Sequence, residues 1–338
     1  MKQKWLIKLL NYEYWPMWAY YIPLFPYFII KGLLKRHLFY FTNANPGIDR
    51  FGGLFLDSKQ AVDRLIPEQY RPLTTIFYRF NDETGAEQFV NEFTGTFPII
   101  AKPDNGERGE GIVKINDKAG LLTYLQAVNQ TYLIQEYIDF PCEYGVFIAF
   151  TPANNRYLIT SLTEKKYFSV TGNGIDTIAY LIHQSERGIV FFERLQERSI
   201  YEMDFIPEQG QVCIIHTLGN HCNGTEFINS SHLIDTTMTD SFNELMKQVD
   251  GVCYGRFDIK VASFEDLKTF QNFKVIEFNG IAAEPIHIYD RTTGYFNSIS
   301  TFIKHWRYLE VISNFNHSKG INPSSFAECL RKIRIKFP

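Results

Sequence analysis

Two predicted strands late in the chain carry hard oxygen ligands inside otherwise apolar runs. One contains Arg256 and Asp258, and the other contains Glu277 and Asn279. Because side chains alternate along a strand, each pair of residues shares one face. Carboxylate and amide oxygens suit Mg²⁺ that bridges nucleotide phosphates, whereas unpaired carboxylates among apolar neighbours would be costly. We therefore expect Asp258, Glu277 and Asn279 to bind metal, with two polar-faced hairpin strands as the alternative, and Arg256 to stabilise a transferred phosphoryl group.

A lysine at the end of a short strand precedes a glycine-rich loop. The lysine is Lys102, and the glycines are Gly106, Gly109 and Gly111. Glycines let backbone N–H groups approach phosphate oxygens, and the lysine supplies a point charge to them. No Gly-Lys-Ser/Thr ends the loop, so it is not a P-loop, and a plain hairpin turn is the alternative. A flexible loop at 105–111 would close over a bound nucleotide as a lid.

A third segment, at residues 133–138, is an apolar strand that ends in polar residues. Its backbone would suit a purine edge, and the carboxylate of Glu143 would accept from ribose hydroxyls. Many edge strands look the same, so this segment alone is not specific.

Strand and helix patterns alternate through most of the chain and predict an α+β fold rich in antiparallel strand pairs. Predicted strands cover residues 73–78, 99–101, 132–137, 143–150, 157–162, 211–217, 255–261 and 273–278. Predicted helices cover residues 58–65, 83–93, 118–128, 175–184, 240–249 and 298–315. Turn residues at 43–53 place a boundary near residue 50. The balanced charge, 34 Lys and Arg against 37 Asp and Glu, argues against a nucleic-acid partner.

The lysine with its glycine loop, the polar strand end and the metal motif follow one another along the chain. In this order they resemble the motifs of the ATP-grasp superfamily. More narrowly, the chain is similar to the D-alanine–D-alanine-ligase-like carboxylate–amine ligases. The resemblance implies an ATP-grasp fold, in which two α+β subdomains sandwich ATP, preceded here by a short aromatic-rich N-terminal segment. The implied units are the N-terminal segment at 1–50, an ATP-grasp region at 51–310 with subdomains at about 58–137 and 138–310, and a C-terminal tail at 311–338.

The resemblance also implies a role for each matching residue. Lys59 resembles the first nucleotide-binding lysine, and the lysine before the glycine loop resembles the one that meets the inner phosphates. Gln135, Glu136 and Ile138 resemble the adenine-binding hinge. Glu143 resembles the ribose carboxylate, although it follows the hinge one residue later than in the family. ATP is thus the implied cofactor, with two Mg²⁺ ions, or with Mn²⁺ in their place.

A second resemblance lies between Gly172 and Ile182. The run Gly-Asn-Gly-Ile-Asp-Thr-Ile looks like the Gly-Asp-Gly-x-x-Thr-Ile run of amino-acid-adding ligases such as cyanophycin synthetase. The preceding Lys165 and Lys166 would reach phosphate, and we assign a catalytic role to Lys166. A solvated hairpin is an equal alternative for both, since lysine is usually exposed.

The chain departs from the D-alanine ligases where those enzymes bind their substrate. It lacks the serines of their glycine loop and the Thr-x-Pro-Gly that follows their metal motif, so the substrate is not expected to be D-alanine. Arg108 would suit a carboxylate or another anion, and acidic groups would suit an amine. The substrate candidates are therefore Arg108, Glu284, His287 and Asp290, with packing as an alternative for the last two.

These residues predict an ADP-forming ligase that joins a small-molecule carboxylate to an amine through an acyl phosphate. The alternative is an ATP-dependent phosphotransferase that acts on a small or lipid-linked acceptor. A non-catalytic nucleotide-binding scaffold is a third alternative, disfavoured because metal oxygens and phosphate cations are all present. Five cysteines without a Cys-x-x-Cys pair predict neither a disulfide framework nor a zinc site, as in a cytoplasmic protein.

Residues 1–50 differ in composition from the rest of the chain. Their basic side chains are Lys2, Lys4, Lys8, Lys31, Lys35, Arg36 and Arg50, and their acidic ones are Glu13 and Asp49. Aromatic residues are dense between Trp5 and Phe41, and prolines interrupt the apolar run, which favours neither a signal peptide nor a spanning helix. Three expectations stay open for residues 5–41: packing on the protein, a homodimer contact, or peripheral contact with the inner face of a membrane.

Overall fold

The structure is a computed structural model that describes residues 3–55, 58–78, 84–106, 109–128 and 130–336. Its strands are β1 Thr74–Phe77, β2 Ile99–Pro103, β3 Val113–Ile115, β4 Tyr132–Glu136, β5 Cys142–Thr151, β6 Arg156–Lys166, β7 Ser169–Thr171, β8 Val212–Ile214, β9 Glu226–Asn229, β10 Tyr254–Val261 and β11 Phe273–Asn279. Its α-helices are α1 Lys4–Leu10, α2 Met17–Tyr21, α3 Phe25–Leu34, α4 Lys59–Asp63, α5 Thr84–Glu92, α6 Lys118–Ala127, α7 Ile178–Ile182, α8 Glu186–Arg198, α9 Thr236–Met246, α10 Phe264–Thr269, α11 Tyr295–Ser318 and α12 Phe326–Lys336.

The first sheet has the strand order β1-β4-β2-β3, and all its strand pairs are antiparallel. Helices α5 and α6 cover one face, where Val90 and Leu121 pack against Ile99 and Ile134. Asp117 caps α6 by accepting a hydrogen bond from the backbone N–H of Gly120, so the helix begins where the sequence predicts.

The second sheet has the order β11-β10-β5-β6-β9, again antiparallel. Val146 and Phe257 face α9 and α10, whereas Phe147 packs on the opposite face against residues that include Tyr254 and Leu309. Because both faces of the sheet are covered, β5 is buried along nearly its whole length, and most of its residues are apolar.

A small unit of β7, β8, α7 and α8 lies between β6 and β9 in the chain. Ile178, Leu195 and Cys213 form its core. Ser185 caps α8 by accepting a hydrogen bond from the backbone N–H of Gly188. The sequence prediction missed α8, and it also missed β3, β7, β9, α10, α12 and the N-terminal helices α1, α2 and α3. It began α9 at residue 240, although Asp235 caps that helix.

The predicted α+β fold class is confirmed: the chain forms two large antiparallel sheets, and helices pack against each of them. The N-terminal helices pack on the part of the protein that contains the second sheet, where Tyr20 and Leu24 pack with Tyr289 and Phe302. In the described part of the chain, one helical run, Met17–Leu34, is long and apolar enough to cross a membrane, and 17% of it is buried.

Candidate functional site

Two cavities meet between the two large sheets. The wide cavity has a volume of about 580 Å³ and is lined partly by N-terminal residues, and the narrow cavity measures about 160 Å³ and lies along the end of β4. Seven residues line both cavities, namely Lys59, Lys102, Gly106, Asn220, Asp258, Ile276 and Glu277. Most residues predicted from the three separate motifs therefore line one or both of these adjoining cavities.

The register of β10 and β11 places the predicted metal ligands together. Asp258 lies directly opposite Glu277, and Arg256 lies opposite Asn279. The guanidinium of Arg256 donates to both carboxylate oxygens of Asp258, from Nε at 2.8 Å and from Nη2 at 3.0 Å. Asn279 Nδ2 is 3.4 Å from Asp258 Oδ2. Glu277 is exposed to the cavities, whereas Asp258 is buried.

A buried lysine links this pair to the predicted ribose carboxylate. Lys165 Nζ lies 2.7 Å from Glu143 Oε1 and 3.3 Å from Asp258 Oδ1. Tyr167 donates to Glu143 Oε2 at 2.6 Å. Burial would lower the pKa of Lys165, but the charges of Asp258 and Glu143 raise it above its ordinary value. Burial would likewise raise the pKa of Asp258, but Arg256 and Lys165 lower it, so Lys165 and Asp258 stay ionised.

The structure places Lys166, the predicted catalytic lysine, outside this cluster. Lys166 is exposed and does not line either cavity, whereas its neighbour Lys165 is buried and lines the narrow one. Adjacent residues of β6 point to opposite faces, so only one lysine of the pair faces the cleft. The lysine of the pair that lines the narrow cavity is Lys165.

Two further lysines lie where the two cavities meet, on the side of the first sheet. Lys102 Nζ donates to the carbonyl of Ile276 at 3.2 Å, and burial lowers its pKa. Lys59 Nζ donates to the carbonyl of Gly106 at 2.6 Å and so holds the start of the glycine loop. Lys59 is the first residue of α4, and Ser58 caps that helix by accepting from the N–H of Ala61.

The predicted adenine hinge lies at the end of β4 and lines the narrow cavity. Gln135, Glu136 and Ile138 all contribute to its wall, as does Glu143. Gln135 Nε2 donates to Thr74 Oγ1 at 3.0 Å, and Glu136 Oε2 accepts from the N–H of Leu73 at 3.1 Å. These side chains are engaged within the sheet, and the strand pairing ends at Glu136.

Not all three glycines of the loop line the cavities. Gly106 and Gly109 line the narrow cavity. Gly109 has φ +76°, and a Cβ there would lie 2.6 Å from Asn220 Nδ2, so the position requires glycine. Gly111 does not line either cavity, and its carbonyl accepts from the hydroxyl of Tyr124. The substrate candidate Arg108 lies outside the described residues.

The other substrate candidates separate into one cavity residue and two that lie elsewhere. Glu284 lines the wide cavity, and its oxygens accept from the hydroxyls of Tyr21 and Tyr289, each at 2.8 Å. Asp290 instead accepts from the backbone N–H groups of Asn229 and Thr292 and is not on either cavity wall. His287 is also absent from both walls; it is buried, and burial lowers its pKa to about 4.

N-terminal residues also line the site, and the sequence prediction did not include them. Tyr14, Trp15, Met17 and Tyr21 line the wide cavity. The carboxylate of Glu13, also on this wall, is fully buried and ties three other elements to the segment. It accepts hydrogen bonds from Arg187, from Arg291 at 2.8 Å and from His221 at 3.2 Å. A lone acidic residue in a basic, aromatic segment was the one available signal.

The donor set at the β10–β11 pair fits a magnesium ion held mainly by nucleotide. Within the described ranges, no three His, Cys, Asp or Glu side chains form a group that could hold a metal alone. Two opposed carboxylates and one amide oxygen supply hard ligands for an ion that keeps waters and phosphate oxygens. Lys165 and Arg256 offset the charge of Asp258 without metal.

The profile of the tubulin-tyrosine ligase family matches residues 58–144, which include Lys59, Lys102 and the hinge. No curated protein matches this chain. Similar solved structures include a bifunctional glutathione synthetase from Pasteurella multocida, at 16% identity and a TM-score of 0.40, with 78% of this chain and 38% of that chain covered. VanG D-Ala:D-Ser ligase from Enterococcus faecalis matches at 13% identity and a TM-score of 0.40, with 74% and 61% covered.

D-alanine–D-alanine ligase from Bacillus anthracis matches at 13% identity and a TM-score of 0.41, with 76% of this chain and 68% of that chain covered. The chain thus spans 38% and 61% of the first two of these structures. Two of these three structures are ligases by name, and the third is a synthetase.

Proposed function

We propose that this protein is an ATP- and Mg²⁺-dependent ligase that joins a carboxylate to an amine through an acyl phosphate. The observation that carries the proposal is the junction of the two cavities. There, four cationic side chains surround the opposed carboxylates of Asp258 and Glu277. The four cations are those of Lys59, Lys102, Lys165 and Arg256.

The narrow cavity suits the nucleotide. An adenine would lie against the end of β4, with Ile138 as an apolar wall and Glu143 near the ribose. Lys59 and Lys102 would then meet the phosphates, and the loop that begins at Gly106 would lie over them. In this arrangement the γ-phosphate would face the wide cavity.

The first chemical step would be phosphoryl transfer to the acid. A substrate carboxylate oxygen attacks the γ-phosphorus, the bond to the β,γ-bridging oxygen breaks, and ADP leaves. Such a transfer needs in-line positioning and cations more than covalent help from protein. Arg256 and Lys165 would supply positive charge at the transferred group. Mg²⁺, held by Asp258, Glu277 and Asn279, would neutralise phosphate charge.

The second step would be attack of an amine on the acyl phosphate. The amine nitrogen bonds to the carbonyl carbon, phosphate leaves with the electron pair of the broken C–O bond, and the nitrogen loses a proton. Glu284 is the carboxylate of the wide cavity wall that would bind a substrate ammonium group, between the hydroxyls of Tyr21 and Tyr289. The walls also exclude water, which would hydrolyse the intermediate.

The proposal extends to partners and location. The substrates would be small molecules, and the protein would act in the cytoplasm, without a nucleic-acid partner. Homodimer formation stays a prediction. A phosphotransferase would use the same nucleotide residues and would differ only in retaining the phosphoryl group on its acceptor.

The experiment is ATP turnover with Mg²⁺ across pools of amino acids and dipeptides, with ADP, AMP and phosphate measured separately. The proposal predicts ADP and phosphate only when an acid and an amine are both present. Asp258→Asn and Glu277→Gln should each lose at least about 100-fold in rate. Glu226→Gln, an exposed carboxylate of β9 outside both cavities, is the matched control and should keep full activity. AMP with pyrophosphate, or a phosphorylated acceptor without free phosphate, would overturn the proposal.

A further inference from the structure

The N-terminal helices expose an unusual number of large apolar side chains. From Met17 to Leu34 the run of α2, one 3₁₀ turn and α3 is helical, and its exposed side leaves apolar residues 47% to 74% accessible. These residues, here called the apolar stripe, are Trp18, Ile22, Phe25, Ile29, Ile30, Leu33 and Leu34. In α1, Trp5, Leu9 and Leu10 are at least 60% exposed as well.

The stripe is the outer face of a helix whose inner face is well packed. Tyr20 and Leu24 are buried against the body, and Tyr20 contacts the rings of Tyr289 and Phe302. The exposed positions recur every three or four residues, which is the period of one helix face. Monomeric soluble proteins rarely leave so large a contiguous apolar patch uncovered.

The charged side chains that the N-terminal helices themselves expose are basic, and one of them, Lys4, is paired with the exposed Glu193 of α8. Lys8 and Arg36 are exposed. Lys31 and Lys35 share one carboxylate, that of Glu310, at 2.8 Å and 3.2 Å. Glu13, the acidic residue between Trp5 and Phe41, is fully buried. The surface that surrounds the stripe therefore has a positive charge.

We propose that the apolar stripe and the exposed side of α1 bind the surface of an anionic lipid bilayer. The helices would lie in the plane of the headgroups, where tryptophan side chains and cations both find favourable partners. Tyr20 and Leu24 hold the other helix face on the protein, so the run lies on the bilayer and does not cross it.

A second copy of the chain is the competing occupant, and charge disfavours it. A twofold dimer would place the same patch on both copies and bring Arg36 and the lysines of one near those of the other. An anionic bilayer covers the same apolar area and neutralises those cations. This inference does not depend on the ligase proposal.

The test is flotation of the full chain with vesicles of phosphatidylglycerol and phosphatidylcholine, compared with vesicles of phosphatidylcholine alone. We expect binding to the anionic vesicles that weakens with salt. Trp18→Gln/Ile29→Gln/Leu33→Gln should bind at least about 100-fold more weakly, since three large apolar anchors are lost. Ile175→Gln/Val212→Gln, two equally exposed apolar positions on the small β7–β8 unit, is the matched control and should bind as the parent does.

A second measurement covers the case in which the triple variant does not fold. Brominated lipid in the anionic vesicles should quench the tryptophan fluorescence of the unaltered protein, because Trp5 and Trp18 are exposed on this face. Absence of both flotation and quenching would overturn the proposal. A dimer that the triple substitution converts to a monomer, without vesicle binding, would show that a second copy is the occupant and would overturn it as well.

Discussion

Lys165 connects the proposed nucleotide side of the site with the proposed metal side. Its ammonium group lies between Glu143 on β5 and Asp258 on β10, and it is as buried as its partners. A buried ion cluster persists only when each charge is compensated, so removal of the lysine leaves two carboxylates facing each other. Lys166 lies next to it on the same strand and points away, which provides an internal control.

Lys165→Gln should lower ATP turnover by at least about 100-fold, because it removes a cation from the phosphate site. Lys166→Gln should stay within about twofold of the parent, as expected of an exposed side chain. The measurements are ADP release and ATP affinity for both variants. Equal losses in the two variants, or a larger loss in Lys166→Gln, would contradict the assignment.

Sequence reasoning at the residue scale identified residue types better than orientations. The period of two predicted that Arg256 shares a face with Asp258 and that Glu277 shares one with Asn279. The register of β10 and β11 places these two pairs opposite each other. The sequence does not show which of Lys165 and Lys166 faces the cleft, because the burial of this end of β6 depends on its pairing with β9. Short strands such as β9 carry too few residues for a pattern to show.

At the scale of elements, the segment from His216 to Gly224 closes the narrow cavity opposite the hinge. Thr217, Leu218, Gly219 and Asn220 line that cavity. His216 Nε2 lies 2.7 Å from the carbonyl of Asn223 and fixes the turn. A Cβ on Gly219 would lie 2.2 Å from Glu143 Oε1, so the segment packs directly on the ion cluster.

Gly219→Ala should therefore displace Glu143 from Lys165 and weaken ATP binding by at least about tenfold. The extra methyl group should also destabilise the fold by about 1–3 kcal/mol, as is usual for overpacking. Gly210→Ala is the control: its Cβ would meet open space, although φ is +82°. That variant should lose about 1 kcal/mol of stability and keep its ATP affinity. Calorimetric titration with ATP and Mg²⁺ measures the affinity, and an unchanged affinity in Gly219→Ala would be evidence against this contact.

Elements with strong local signals were predicted closely, and those that depend on tertiary contacts were not. Helix α6 and strand β4 agree with their predictions to within one residue. Helix α8 was missed because six of its 13 residues are charged, although its apolar side packs through Val190 and Leu195 into the small unit. Helix α11 runs past residue 310, where the sequence placed the start of a tail.

At the scale of the whole molecule, the N-terminal segment is a wall of the wide cavity as well as an apolar surface. Glu13 joins it to α8, to the 3₁₀ turn at His221 and to Arg291. Burial would raise the pKa of Glu13, but the hydrogen bond from His221 and the charges of Arg187 and His221 lower it to about 2. The segment is thus held by a buried ion cluster that acid would break.

This cluster should make stability depend on pH in a defined window. A depressed acid pKa stabilises the fold above its unfolded value of 4.5, and the contribution is lost as the pH falls toward 2. The shift corresponds to up to about 3 kcal/mol. Glu13→Gln should lower the free energy of unfolding at pH 7 and flatten its fall between pH 5 and 2. Denaturant titrations at several pH values measure this, with Glu226→Gln as the control, and an equally steep fall in Glu13→Gln would contradict the prediction.

The most direct test of the central claim follows oxygen from the acid into phosphate. Amino acids and dipeptides labelled with ¹⁸O in their carboxyl groups are incubated with the protein, ATP and Mg²⁺, and the phosphate released is analysed by mass spectrometry. An acyl phosphate requires one ¹⁸O atom in each phosphate, with unlabelled ADP as the other product. Unlabelled phosphate, or ¹⁸O in AMP, would show that the carboxylate is not activated by phosphoryl transfer.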